Sequence, residues 1–157
     1  MEICQLSSSN ITEVLDLEKD NAPNKPYYSK YDIEALSFIF DNPKTCKAYG
    51  MYDNNILVGW GSYRTQWKDR NVRDGVYEVS TLVVRQSYRR QGIGKQLLHK
   101  IVDDIKKNQT YKEIYLTVYP ENISALLLYL YNQFVIYNFK KDVYGPGSDR
   151  VYLHLKK

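Results

Sequence analysis

A valine-rich segment leads directly into a basic turn that holds two glycines, and residues 76–94 read VYEVSTLVVRQSYRRQGIG. The β-branched residues of Val76–Val84 favour a strand. After the turn, apolar residues recur at the spacing of an amphipathic helix that runs to about residue 107: Ile93, Leu97, Leu98, Ile101, Val102 and Ile105. The segment therefore predicts a strand, a basic turn and a long helix.

The turn has the properties of an anion-binding loop. The first N–H groups of a helix have no partner within the helix, and its N-terminus carries a partial positive charge. Gly92 and Gly94 would let the backbone approach a ligand closely, and Arg89 and Arg90 add charge. We expect a phosphate-bearing ligand at this position.

Two common phosphate-binding motifs do not fit the turn. A Walker loop needs Gly-Lys-Ser/Thr, but here Gln96 follows Lys95. A dinucleotide-binding fingerprint would need a third glycine where Leu97 stands. The turn does fit the pattern Arg/Gln-x-x-Gly-x-Gly/Ala, and in this it resembles the pyrophosphate loop of the GNAT acetyltransferases.

A second pattern lies downstream, where another strand and helix are predicted. It consists of Leu116, Val118, Asn122, Ala125, Leu128, Tyr129 and Phe134. Together with Arg89-x-x-Gly92-x-Gly94, the order and separation resemble those of the GNAT family of N-acetyltransferases over residues 76–134. One position departs from the family pattern, because Gln133 stands where glycine is usual. We expect Asn132 to adopt the left-handed conformation that ends the helix instead.

Periodicity and turn signals divide the rest of the chain. Asn10 and Glu13 form a capping-box pattern that opens a helix, and Ser29 with Asp32 could open a second helix. Asp53-Asn54-Asn55 marks a hairpin. Residues 65–75 are interpreted as a polar loop. Further strands are predicted at residues 3–6, 46–52, 56–64, 113–118, 134–141 and 150–155, and a further helix at residues 124–132.

The element order is therefore β-α-α-β-β-β-α-β-α-β-β. With the resemblance, it implies the GNAT fold, of the α/β (α+β) class. This fold is a mixed, mostly antiparallel seven-stranded sheet flanked by four helices. We expect a single domain over residues 1–157.

The resemblance also implies a donor site for coenzyme A (CoA). The family binds CoA in a V-shaped gap between two parallel strands, here Val76–Val84 and Glu113–Val118. Backbone groups near Leu82 and Val84 would hold the pantetheine arm, and backbone N–H groups of residues 90–95 would bind the pyrophosphate. The implied CoA-binding residues are Leu82, Val83, Val84, Arg89, Arg90, Gln91, Gly92, Ile93, Gly94, Lys95, Asn122 and Tyr129.

Acetyl transfer to an amine requires an acid and a neutral amine, and a free amine has a pKa near ~10. By resemblance, Tyr129 stands at the general-acid position and would protonate the departing thiolate. Glu78, four residues before Leu82, is the candidate base. The alternatives are that Tyr129 is an ordinary core tyrosine, and that Glu78 is exposed or paired with a lysine while water carries the proton.

The implied function is acetyl-CoA-dependent transfer of an acetyl group to a primary amine, by direct attack in a ternary complex. The acceptor would be a small molecule, a protein N-terminus or a lysine. Its site is expected to form from residues 18–31, 65–75 and 143–150. Two features there could serve an acceptor: Pro26, Tyr27, Tyr28 and Tyr31 could wall a pocket, and Glu18, Asp20 and Asp149 could attract a cation. The alternative is that all of these are plain loop and surface residues. A catalytically inactive CoA-binding sensor is the alternative function.

Composition limits the other options. The 157 residues include 22 Lys and Arg against 18 Asp and Glu, and this mild excess does not favour nucleic acid as a partner. No segment has the ~18 consecutive apolar residues of a membrane span, and the N-terminus lacks a signal-peptide pattern, so we expect a cytoplasmic protein. Cys4 and Cys46 are far apart, and no metal-ligand cluster is recognisable. A homodimer is one option for its assembly.

Overall fold

The computed structural model describes residues 1–21, 31–67, 70–71 and 73–157. The strands there are β1 Glu2–Gln5, β2 Cys46–Asp53, β3 Ile56–Arg64, β4 Gln66–Trp67, β5 Arg70–Asn71, β6 Val76–Val84, β7 Glu113–Val118, β8 Val135–Lys140 and β9 Arg150–Lys156. The helices are α1 Ile11–Asn21, α2 Ile33–Asp41, α3 Ile93–Lys106 and α4 Ile123–Tyr131. None of these helices is long and apolar enough to cross a membrane.

Seven strands form one mixed sheet in the order β1-β2-β3-β6-β7-β9-β8. Every neighbouring pair is antiparallel except β6 and β7, which run parallel. The predicted fold class is therefore confirmed. The predicted loop over residues 65–75 is partly wrong, because β4 and β5 pair there as a small ladder. Strands of two residues are too short to give a periodic signal.

The hydrophobic core has two parts, one on each face of the sheet. The larger cluster joins the apolar face of α3 and Tyr129 of α4 to strands β2, β3, β6, β7 and β9. The smaller cluster packs Val14 and Leu17 of α1 and Leu36 of α2 against Trp60. Glycine lets α3 lie close to β3, since a Cβ at Gly61 would lie 2.9 Å from Ile101 Cδ1.

The structure confirms some of the predicted helix starts and turns and contradicts others. Asp32 is the N-cap of α2, and its carboxylate accepts a hydrogen bond from the Ala35 N–H at 2.8 Å. Ser29, predicted to open this helix together with Asp32, lies outside the described residues. Asn54 and Asn55 both have positive φ angles, which suits a tight hairpin. The capping box assigned to Asn10 and Glu13 is wrong. Asn10 ends a 3-10 turn, and its side chain accepts the backbone N–H of Ser7.

The end of α4 also corrects a prediction. Gln133, and not Asn132, adopts the left-handed conformation, with φ of +69°. The Phe134 N–H reaches the Tyr129 carbonyl and the Gln133 N–H reaches the Leu130 carbonyl, the pattern of a Schellman motif. That motif fixes the left-handed position by its hydrogen bonds, so the residue one position before Phe134 must adopt it even when it is not glycine.

Candidate active site

The two parallel strands separate, and a cleft opens between them. β6 pairs with β7 only from Val76↔Glu113 to Glu78↔Tyr115. Beyond these pairs lies a cleft of about 310 Å³. Its lining includes five of the residues predicted for the site: Glu78, Leu82, Val83, Asn122 and Tyr129. The β6 edge that β7 leaves unpaired offers backbone groups to an extended ligand, as an added strand would use them.

The start of α3 supplies backbone donors beyond the end of β6. Gly92 is the N-cap, with φ of +80°, and the first helical bond runs from the Gln96 N–H to its carbonyl. The N–H groups of Ile93, Gly94 and Lys95 are therefore left for another acceptor. The first turn of α3 contains no acidic residue that would repel an anion.

Side chains in the turn brace its backbone. The Arg89 Nε donates to the Val84 carbonyl at 3.1 Å, and the Gln91 Nε2 donates to the Ser87 carbonyl at 3.3 Å. Arg90 has φ of +62°, which turns the chain before Gly92. Arg89, Arg90, Gln91 and Lys95 are exposed. The predicted phosphate-loop residues thus form one exposed, cationic turn around a helix N-terminus.

Tyr129 and Asn122 reach the cleft from α4. Tyr129 is buried, and its ring packs edge-on against Phe134 with centroids 5.9 Å apart. Asn122 is the N-cap of α4, and its side-chain oxygen accepts the Ala125 N–H at 3.2 Å. Its role in the helix start fixes the position of Asn122 at the cleft.

Glu78 lies in the cleft but is paired with Arg64. The Arg64 Nε lies 2.7 Å from Glu78 Oε2, and its Nη2 lies 3.1 Å from Oε1, so both carboxylate oxygens are engaged. Both side chains are mostly buried. Burial raises the pKa of the neighbouring Tyr115 phenol, and the charge of Glu78 raises it further. The partner of Glu78 is therefore an arginine, and not the lysine weighed as an alternative from the sequence.

A β-bulge brings these two residues together. The partner of β3 shifts from Ser62↔Thr81 to Tyr63↔Val79, which leaves Ser80 as the extra residue and places Arg64 opposite Glu78. The Ser80 hydroxyl lies 2.7 Å from that of Ser62. Uninterrupted pairing would have placed Arg64 opposite Val79. The sequence pattern therefore does not indicate the ion pair between Arg64 and Glu78.

A second carboxylate enters the cleft from α1. Glu18 is only 5% exposed, and its Oε1 accepts the Trp60 indole N–H at 2.6 Å. Burial raises the pKa of Glu18, and the Trp60 hydrogen bond partly opposes the shift. Tyr31 packs edge-on against Trp60 at 5.2 Å, and burial raises its pKa to about 12.

The other two candidates for attracting a cation have structural partners. Asp20 forms an ion pair with Arg85, and the Asp149 side chain accepts the Asp142 backbone N–H at 3.0 Å. Neither is among the cleft-lining residues that the structure describes. Residues 22–30, which include Pro26, Tyr27 and Tyr28, lie outside the described residues.

Arg150 forms part of the opposite wall of the cleft. It is 6% exposed, and its guanidinium lies 3.2 Å from the centroid of the Tyr119 ring and 5.2 Å from that of Tyr144. Its Nη1 donates to the Asp149 carbonyl at 3.3 Å. Residue 150 ends one of the predicted acceptor segments, but its side chain is not among the predicted site residues, because burial of an arginine leaves no sequence pattern.

The sequence pattern described as the acetyltransferase (GNAT) family matches residues 11–131. The chain belongs to the GNAT acetyltransferases. Family membership confirms the resemblance and makes the protein an acyltransferase. Among the described residues, no group of three or more His, Cys, Asp or Glu side chains could hold a metal ion.

Characterised relatives of this GNAT acetyltransferase differ in their acceptors. Streptothricin acetyltransferase A of Bacillus subtilis (strain 168) is 26% identical over 72% of this chain and 61% of its own length. The spermine/spermidine N(1)-acetyltransferase of the same strain is 26% identical over 82% and 84%. The N-alpha-acetyltransferase of Saccharolobus solfataricus is 29% identical over 89% and 83%.

Solved structures share the fold. The PaiA N-acetyltransferase of Thermoplasma acidophilum, solved in complex with coenzyme A, superposes with a TM-score of 0.78. The superposition covers 99% of this chain and 98% of that one at 20% identity. At this identity the match establishes the fold alone.

Proposed function

We propose that this GNAT protein transfers the acetyl group of acetyl-CoA to a primary amine, by direct attack in a ternary complex. The observation that carries the proposal is the cleft itself. β6 and β7 separate after Glu78↔Tyr115, and the unpaired edge of β6 leads to the free N–H groups at the start of α3. This arrangement suits a ligand with an extended, amide-bearing arm and a pyrophosphate.

The donor would lie along β6 and end at α3. Backbone groups from Leu82 to Val84 would hold the pantetheine arm, and Asn122 would contact it from α4. The N–H groups of residues 90–95 would bind the pyrophosphate, with Arg89, Arg90 and Lys95 supplying positive charge. The protein itself does not exclude a side chain at Gly94, because an added Cβ would lie at an ordinary contact distance of 3.6 Å from Leu128. A glycine at this position is therefore explained by the close approach of a ligand.

The reaction requires a proton to leave the amine and a proton to reach the thiolate. Tyr129 lines the cleft from α4, and its phenol would protonate the departing sulfur. Glu78 would take the proton from the amine. Because Arg64 engages both of its oxygens, we propose that Glu78 acts through a water molecule and not by direct contact.

The acceptor would enter the part of the cleft lined by Glu18, Tyr31 and Arg150. Three relatives are named for streptothricin, for spermine and spermidine, and for N-alpha-acetylation. Family membership alone therefore allows either a small amine or a protein N-terminus.

The test is CoA release from acetyl-CoA across a panel of primary amines, alongside direct binding measurements with acetyl-CoA, ATP and NAD. We expect acetyl-CoA to bind in preference to the other two and at least one amine to release CoA above the rate of hydrolysis. Binding without turnover over the whole panel would favour the CoA-sensor alternative. Binding of ATP or NAD in place of acetyl-CoA would exclude the proposed donor.

A further inference from the structure

Two of the charged side chains that line the cleft form an ion pair with each other, and two do not. Among the residues that the structure describes, four charged side chains line it: Glu18, Arg64, Glu78 and Arg150. Arg64 and Glu78 neutralise one another through two hydrogen bonds. Glu18 and Arg150 remain, one anion and one cation. They lie on opposite sides of the gap between β6 and β7 in the sheet order, because Glu18 contacts Trp60 of β3 and Arg150 begins β9.

Arg150 is a buried cation without a carboxylate partner in the described part of the chain. Its contacts are the Tyr119 and Tyr144 rings and a single 3.3 Å hydrogen bond to the Asp149 carbonyl. A guanidinium has five N–H donors, so most of them are available to a ligand. A buried charge is costly unless it is paired, and a planar guanidinium binds a carboxylate through two parallel hydrogen bonds.

Glu18 has the complementary property. It is 5% exposed, and its contact within the described residues is the neutral indole N–H of Trp60, which satisfies one of the two carboxylate oxygens. No cation of the described chain forms an ion pair with it. A ligand ammonium at Glu18 would supply the missing positive charge.

We propose that the acceptor is an amino acid, a primary amine that also carries a carboxylate, with the carboxylate bound by Arg150 and the ammonium bound by Glu18. The inference rests on the proposed acetyltransferase function and narrows its substrate class. A polyamine would place further positive charge beside Arg150 and leave that buried guanidinium unpaired. A zwitterion would neutralise the charges of Glu18 and Arg150 at the same time.

The experiment compares amino acids with their own carboxamides. The panel contains the ω-amino acids from glycine to 6-aminohexanoate and a set of L-α-amino acids, because the panel must sample the span between the two charges. CoA release is measured for the parent protein, for Arg150→Gln and for the control Lys140→Gln. Lys140 lies directly opposite Arg150 in the β8–β9 ladder and also contacts an aromatic ring, Tyr152, but it is exposed and is not among the described residues that line the cleft.

The measured quantity is the ratio of kcat/KM for each acid to kcat/KM for its amide. Comparing this ratio between variants cancels the different basicity of the two amines. We expect at least one amino acid to be preferred over its amide by the parent and by Lys140→Gln. In Arg150→Gln the ratio should fall by about 10- to 100-fold, as expected for the loss of a charge-assisted hydrogen bond. Arg150→Lys should keep part of the preference because it keeps the cation.

Two outcomes would overturn the inference while the acetyltransferase function stands. One is that amides or diamines are acetylated as well as the acids. The other is that Arg150→Gln lowers the rates for the acids and for the amides equally. Arg150 would then serve only to pack against Tyr119 and Tyr144. Calorimetric binding of the acids to the protein loaded with CoA separates the two proposals. Arg150-dependent binding of the acids without turnover of any amine would support an amino-acid site in the cleft and refute the proposed reaction.

Discussion

At the scale of single residues, the Tyr129 hydroxyl tests the proposed acid. Tyr129→Phe keeps the ring that packs against Phe134 but removes the proton. We predict that kcat falls by about 10²-fold, the low end for general acid catalysis, with little change in acetyl-CoA affinity. Tyr131→Phe is the matched control, because Tyr131 lies on the same helix and is 83% exposed. Equal rates for parent and Tyr129→Phe would assign the acid role to another group.

Glu78 is tested together with the arginine that holds it. Glu78→Gln should lower the rate most near neutral pH, where the amine is mostly protonated, and part of the activity should return at higher pH. Arg64→Gln frees the carboxylate, so a true base should keep much of its activity in that variant. If both variants lose activity and thermal stability to the same extent, the pair is structural and the base lies elsewhere.

The burial of Glu18 predicts that the stability of the fold depends on pH. Burial raises its pKa in the folded protein, so the folded state binds this proton more tightly than the unfolded chain does. The contribution of Glu18 to stability therefore falls as pH rises through the raised pKa, and the destabilisation is complete above it. Glu18→Gln keeps an oxygen for Trp60 and loses the charge.

We expect Glu18→Gln to melt at a higher temperature than the parent at pH 7, and the difference to shrink as the pH falls towards about 4, near the ordinary pKa of a glutamate. Thermal unfolding followed by circular dichroism at several pH values measures this difference. A variant less stable than the parent at neutral pH would mean that the Glu18 charge is compensated in the free protein.

At the scale of elements, the start of α3 separates ligand binding from folding. A Cβ at Gly94 would make ordinary contacts at 3.6 Å with Leu128 and 3.7 Å with Val84, so Gly94→Val should leave the chain folded. The added side chain would obstruct the N–H groups proposed to bind the pyrophosphate. We predict acetyl-CoA binding weaker by about 10-fold or more, from the loss of a charged hydrogen bond.

Gly92 should respond differently. Its φ of +80° lies in the left-handed region, so Gly92→Ala should cost roughly 1–2 kcal/mol of stability even without ligand. Melting curves with and without acetyl-CoA compare the two variants. Unchanged acetyl-CoA affinity in a folded Gly94→Val protein would remove the turn from the donor site.

The end of α4 offers a stabilising substitution. Gln133 has φ of +69°, which costs a non-glycine residue roughly 1–2 kcal/mol. Gln133→Gly should remove that strain at an entropic cost of roughly 0.5–1 kcal/mol, for a net gain of about 0.5–1 kcal/mol. Asn132→Gly is the contrasting variant, because Asn132 has φ of −101° and its side chain bonds to the Leu128 carbonyl. It should destabilise the protein, and urea unfolding measures both changes.

At the scale of the whole molecule, the donor should hold the two halves of the sheet together. The parallel contact between β6 and β7 is limited to three residue pairs, so a ligand in the cleft adds contacts where the strands have parted. Acetyl-CoA at ~100 times its dissociation constant should stabilise the fold by about 2.7 kcal/mol. Calorimetry at several ligand concentrations checks this dependence, with ATP as the control. A stability that does not change with acetyl-CoA would contradict the proposed donor site.

The association state is a property of the whole molecule that stays a prediction. β8 is the last strand of the sheet, and all six of its residues are exposed. A homodimer is the option that the sequence prediction names. Sedimentation over a range of protein concentrations would determine it.

Most of the helices and strands, and the glycine-bearing turn before α3, could be predicted from the sequence, because those features depend on short-range order. The bounds of β6 and β7 match their predictions, and the predicted helix from Ile93 is α3. Strand and helix periodicities arise within a few residues, and the glycines of the turn act through their own backbone. The left-handed residue at the end of α4 also follows from local helix-end geometry, although it is Gln133 and not the predicted Asn132.

The pairing of the charged side chains in the cleft could not be predicted from the sequence. Arg64 meets Glu78 because of a bulge at Ser80, Glu18 reaches Trp60 from 42 residues away, and Arg150 is buried on Tyr119 at the end of β9. Each of these contacts depends on strand register or on packing between distant segments. A one-residue shift in register changes the partner of every side chain, and the cost of burying a charge exists only once the other wall of the cleft is in place.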